Sequence, residues 1–161
     1  MKLSNKILLL VLVFRPVFAH GQSLSLTPAA MIPNVITITA VNAGDLPSDP
    51  LVNNTSQSIR YAFKKLGGWG SVDLGTIEVN SWYIPSGFGV KVQADSNSGG
   101  GQKNGIAKDV VTLSSTWQLL IYDIKTNATI TRLLTQSVFV SNFSSVSIGN
   151  FPVTINYRLN W

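Results

Sequence analysis

From Phe151 to Trp161 the chain alternates apolar and polar residues without a break. Phe151, Val153, Ile155, Tyr157, Leu159 and Trp161 are separated by Pro152, Thr154, Asn156, Arg158 and Asn160. Period two places successive side chains on opposite faces of a strand, so this segment has one face to bury. The register puts Ile155 on the apolar face and Asn156 on the other. The same period runs through Phe88, Val90, Val92 and Ala94, against Gly89, Lys91, Gln93 and Asp95. It recurs in Ile77 and Val79, against Thr76, Glu78 and Asn80. Residues 35–40, VITITA, are β-branched and strand-like. Residues 117–122, WQLLIY, are apolar on both faces, which suits a central strand.

Turn-forming residues punctuate these runs: 42–45, 46–50, Gly67-Gly68, Pro85-Ser86-Gly87, 95–105 and Ser141-Asn142. Many short strands at such spacing predict an all-β fold, a single antiparallel β-sandwich of immunoglobulin-like or pilin-like type. The segment 57–66 reads two ways. Ile59, Ala62, Phe63 and Leu66 fit helical spacing, with Gly67 as a C-cap. Ile59, Tyr61 and Phe63 also alternate with Ser58, Arg60 and Ala62, and the strand is the preferred reading.

The first 21 residues have the layout of a secretory signal peptide. Lys2 and Lys6 precede an apolar run, ILLLVLVF, over residues 7–14, and Ala19-His20-Gly21 offers small residues at the cleavage positions. The run is far shorter than the roughly 20 residues that span a bilayer. Residues 22–161 are then expected to form one domain, long enough to bury a core without staples. The formal charge of +5 is misleading, because Lys2, Lys6 and Arg15 leave with the signal. Nine basic against seven acidic residues remain, too even a balance to indicate a nucleic-acid partner. The expected location is extracellular or at the cell surface.

The exported chain would contain no histidine, since His20 is the only one, and there is no cysteine. The commonest general base, metal ligand and thiol nucleophile are absent together. No GxSxG elbow occurs. The acids Asp45, Asp49, Asp73, Asp95, Asp109 and Asp123 lie in or beside turns, and Glu78 lies on the polar face of its strand. They do not form the facing pair that a glycosidase needs. The loop 95–105, DSNSGGGQKNG, lacks a Walker-type Gly-Lys-Ser/Thr. Read as a calcium loop it would put Ile106 where a bidentate Glu is wanted. No enzyme activity, metal or organic cofactor is expected.

What remains is recognition by surfaces. Among the four tryptophans, Trp117 and Trp161 fall in register with apolar strand faces. Trp69, in a glycine-rich turn, and Trp82, followed by Tyr83, are the better candidates for ligand contact, and exposed rings of this kind suit a glycan. The segment Leu24-Ser25-Leu26-Thr27 is expected as the first strand of its own sheet. Its alternative use is strand addition to a neighbouring copy or another surface protein.

Gly149, Phe151, Val153, Ile155 and Tyr157 resemble the last strand of chaperone–usher pilins, while the terminal Trp161 resembles the aromatic ending of outer-membrane β-barrels. The stretch from Ile84-Pro85-Ser86-Gly87 to Leu113-Ser114-Ser115 and Leu120-Ile121 is similar to small secreted fimbria-like β-proteins of Bacteroidota type. These resemblances imply a structural or adhesive subunit of the cell surface. The cysteine pair of many usher-type pilins is missing. A small outer-membrane barrel and an extracellular carbohydrate-binding module are the competing expectations. N-terminal sequencing of the exported protein should find a chain beginning near Gln22; a start at Met1 would remove the signal assignment.

Overall fold

Period-two patterning becomes strand in the segments 75–80 and 88–94, and hydrogen-bonded pairing then fixes which face is inside. The computed structural model describes residues 22–27, 51–63, 74–96, 104–125, 129–146 and 153–160. Residues 1–21, where a signal peptide is expected, the run at 35–40, Trp69, most of the glycine-rich loop, Gly149, Phe151 and Trp161 lie outside these residues. Nine strands are described: β1 (Gln22–Thr27), β2 (Val52–Phe63), β3 (Gly75–Asn80), β4 (Phe88–Ala94), β5 (Asn104–Ala107), β6 (Val111–Thr112), β7 (Gln118–Ile124), β8 (Thr129–Val140) and β9 (Asn156–Asn160). One 3₁₀ turn follows β8, at Phe143–Ser145.

The strands form two antiparallel sheets packed face to face, a β-sandwich. One sheet has the order β1-β2-β8-β4-β6 and the other β5-β7-β3-β9. A closed barrel would need one continuous sheet; the described strands make two. Residues 57–63 belong to β2, so the helical reading of that segment is displaced by pairing with β1 and β8 on its two sides. Leu24 and Leu26 sit in β1, the first strand of its own sheet.

The core is the meeting of the two inner faces. Ile59, Tyr61, Val92 and Leu134 come from the five-stranded sheet, and Ile77, Val79, Leu120, Ile121 and Ile124 from the other. All nine are fully buried. Each buried aliphatic side chain contributes roughly 1.5–3 kcal/mol of transfer free energy. Residues 118–122 of the 117–122 run lie in an inner strand, as the composition implied, since β7 lies between β5 and β3; Trp117 precedes it. Two register shifts explain its doubly apolar sequence. Between the pairs Glu78↔Leu119 and Ile77↔Ile121, β7 spends one extra residue, and Leu120 and Ile121 are both buried. A second shift lies next to Asp123, whose φ is 58°. Aspartate tolerates that left-handed conformation better than most residues.

β9 departs from strict inside–outside alternation. Val153 and Ile155, which lead into β9, and Tyr157 and Leu159 within it pack against the core but are only half-buried, because β9 is the last strand of its sheet. Asn156 is half-buried too. It donates from Nδ2 to Oδ1 of the fully buried Asn80, 3.0 Å away, so the polar side of this position is not open water.

A charge sits inside. β8 reads Ile130, Arg132, Leu134 on its inner face, and Arg132 is 2% exposed while Leu133 on the outer face is 55% exposed. The guanidinium donates to Tyr61 Oη (2.9 Å), Asp95 O (2.6 Å), and Asn104 O and Gly105 O. Tyr61 Oη in turn donates to Asn104 O at 2.6 Å. Gly105 has φ 88°, and a Cβ there would lie 2.7 Å from the Ile124 side chain. The planar donor fork matches several carbonyls at once, which an ammonium does not. Arg132→Lys should therefore lower stability by about 3 kcal/mol, the scale of a buried ion left with broken hydrogen bonds. Urea unfolding checks this, and a change within about 0.5 kcal/mol, the range of ordinary surface substitutions, would show the network to be dispensable.

Candidate functional site

Two surface features stand out, and both involve β9. The first is a row of side chains on the outer face of the four-stranded sheet. Pairing of β3 with β9 sets Glu78 directly opposite Arg158. Glu78 Oε2 accepts from Arg158 Nε (2.6 Å), Arg158 Nη2 (2.5 Å) and Asn160 Nδ2 (2.7 Å). An exposed ion pair of this kind contributes at most about 1 kcal/mol to stability. Its consequence is orientation, because three donors hold one carboxylate oxygen in place.

The guanidinium of Arg158 also lies over the Trp117 ring, 4.3 Å from its centroid. Trp117 meets Trp82 edge-to-face, with centroids 6.3 Å apart and planes at 84°. Edge-to-face contact is the favoured geometry for two rings with negative faces and positive edges. The two tryptophans come from separate turns laced together by hydrogen bonds. Ser81 N donates to Ser114 O at 3.0 Å, and Asn80 Nδ2 donates to Ser115 O at 3.3 Å. Gln118 Nε2 reaches back to Thr112 O and Ser114 Oγ, both at 2.9 Å. Ser81 Oγ donates to Tyr83 O at 2.9 Å, which fixes the turn that presents Trp82.

Trp82 is 65% exposed and Tyr83 54% exposed. The ring partner of Trp82 is Trp117 rather than its neighbour Tyr83. Trp69 lies outside the described residues. The sequence register predicts Trp117 on an apolar strand face. It instead precedes β7, is half-buried, and stands on the outer surface. Its neighbours Ser114, Ser115 and Thr116 were the available signal, since such residues mark a turn.

The second feature is an open cleft of about 380 Å³ between the two sheets, lined by Leu24, Ser25, Leu26, Ile155, Asn156 and Tyr157. β1 ends one sheet and β9 ends the other, so the cleft is flanked by two edge strands. On its inner side Gln136 Nε2 donates to Tyr157 Oη (3.2 Å) and to Gln57 Oε1 (2.6 Å). Burial pushes the Tyr157 phenol up to about 12, with the Gln136 hydrogen bond pulling the other way.

The glycine-rich loop is closed at its base by Arg132. The carbonyls of Asp95 and Asn104, which a bound cation would use, accept from the guanidinium. Among the described residues no three His, Cys, Asp or Glu side chains are grouped as metal ligands would be, and no helix is long and apolar enough to cross a membrane. The chain matches no known family, no curated protein and no solved structure.

The Tyr157 phenol gives a pH prediction. An unfolded tyrosine loses its proton near pH 10, whereas the native one keeps it to about pH 12. Stability present below pH 10 is therefore lost as pH rises towards 12. Tyr61, also shifted upward by burial, adds to the same decline. Chemical unfolding at a series of pH values should show a shallower loss between pH 10 and 12 for Tyr157→Phe than for the wild type.

Proposed function

We propose that this chain is an exported structural or adhesive subunit that works through its surfaces, with neighbouring copies joined along the edges of the sandwich. The observation that carries this reading is the cleft between β1 and β9. Both strands end their sheets, so each leaves one side without a described partner strand. An unpaired edge presents a row of N–H and C=O groups that templates another strand. β1 has six residues and β9 five, the ordinary length for strand pairing. Leu24 and Leu26 on one side, and Ile155 and Tyr157 on the other, supply apolar contact beneath such a strand. Main-chain pairing would provide affinity and the alternate side-chain positions specificity.

The occupant that fits is a second copy of this chain meeting it edge to edge, because β1 stays paired with its own β2 and its other side, which has no described partner strand, has the length and alternation for such pairing. The purified protein should self-associate with rising concentration, seen by light scattering after size exclusion and as filaments or short oligomers in negative stain. Ser25 is exposed on β1 and lines the cleft. Lysine on an edge strand blocks pairing at little cost to the fold. Ser25→Lys should return the protein to a monomer with an unchanged unfolding temperature. A wild type that stays monomeric at high concentration defeats the assembly reading. A wild type that folds only in detergent or lipid favours a membrane setting instead.

A further inference from the structure

The row Trp82–Trp117–Arg158–Glu78 points to a use separate from assembly, because none of its side chains lines the cleft between β1 and β9. We infer that this row is a binding site for a neutral sugar, with the Trp82 ring as the stacking surface and Glu78 Oε1 as the hydroxyl acceptor. A short run of pyranoses presents faces of C–H groups and rims of hydroxyls, so it needs a flat aromatic ring and an oriented polar group further along the same row. Both are present. Trp82 is 65% exposed and is held at a fixed angle by Trp117. Glu78 has one oxygen occupied by Arg158 and Asn160, and among the described residues its Oε1 accepts nothing. The Glu78 side chain is 22% exposed, so it is not sealed from solvent. The arrangement is built before a ligand arrives, which removes the cost of ordering it on binding.

Charge and size select the ligand. Arg158 is neutralised by Glu78, so the row offers no free cation for an acidic sugar, and the open carboxylate oxygen would repel one. A fully buried aromatic side chain covers only about 150–250 Å², so Trp82 and Tyr83 together fall short of the roughly 800 Å² per partner in a stable protein interface. A ligand of a few sugar rings matches the patch; a folded partner does not.

Native electrophoresis through gels containing mixed-linkage β-glucan, arabinoxylan or galactomannan tests the site, with polygalacturonate as the acidic comparison. The wild type should be retarded by at least one neutral polysaccharide and should change its tryptophan fluorescence on titration with the same one. Trp82→Ala should weaken retention at least tenfold with an unchanged unfolding temperature, and Trp82→Phe should keep part of it. Glu78→Gln should weaken it several-fold. Leu133→Ser, at an exposed apolar position on the other sheet, should leave it intact. Ser25→Lys should also leave it intact, so the outcome is separable from that of the edge-pairing experiment. Retention by none of the neutral gels, retention by polygalacturonate alone, or unaltered binding by Trp82→Ala would each overturn the inference. Equal loss in Leu133→Ser would do so as well.

Discussion

A guanidinium can be taken out of water only if its N–H groups find acceptors, and Arg132 finds them in both sheets. It projects from β8 of the five-stranded sheet, contacts Tyr61 of β2 in the same sheet, and reaches the main chain of β5 in the other. The contact to Asp95 O adds the end of β4. Four strands and the base of the glycine-rich loop are thereby tied to one side chain. Aliphatic contacts between sheets are individually interchangeable and tolerate sliding. A forked donor facing fixed carbonyls does not, so this clasp sets the relative placement of the sheets at that end.

At the other side of the sandwich nothing comparable closes the gap among the described residues. β1 and β9 face each other across an open cleft, and their apolar side chains are half-buried, whereas Ile59, Ile77, Leu120 and Leu134 on inner strands are fully buried. The contrast follows from position. An inner strand is covered by neighbours on both sides, while an edge strand loses that cover along its whole length.

The outer face of the four-stranded sheet combines rigidity with exposure. The bulges in β7 turn Leu120 and Ile121 inward together and leave Leu119 opposite Glu78. The turn before β7 then brings Trp117 over Arg158, and Trp117 in turn braces Trp82. Each member is positioned by a neighbour from another strand or turn. Such a row differs from scattered exposed aromatics, because its rings and its carboxylate are held in a fixed mutual geometry.

Period-two alternation, with the turn residues between runs, showed that this chain is all-β and that Ile77, Val79, Val90 and Val92 face inward; for residues 57–63 it left a helix open, and pairing with β1 and β8 decided for strand. The first two conclusions rest on local side-chain geometry, which neighbouring residues carry in themselves. The absence of cysteine, and of histidine beyond His20, likewise limited the chemistry before any fold was considered. Tertiary structure decided what depends on residues far apart in sequence. Arg132 stands next to Leu133 and Leu134 with nothing to mark it as buried; its acceptors lie 27 to 71 residues away. Trp117 belongs to an apolar run, yet pairing of β3 with β9 supplies the arginine that holds it on the surface. The half-burial of Ile155 and Tyr157 could not be read from their alternation, because period two says which face a side chain takes and only the order of strands in the sheet says what covers that face.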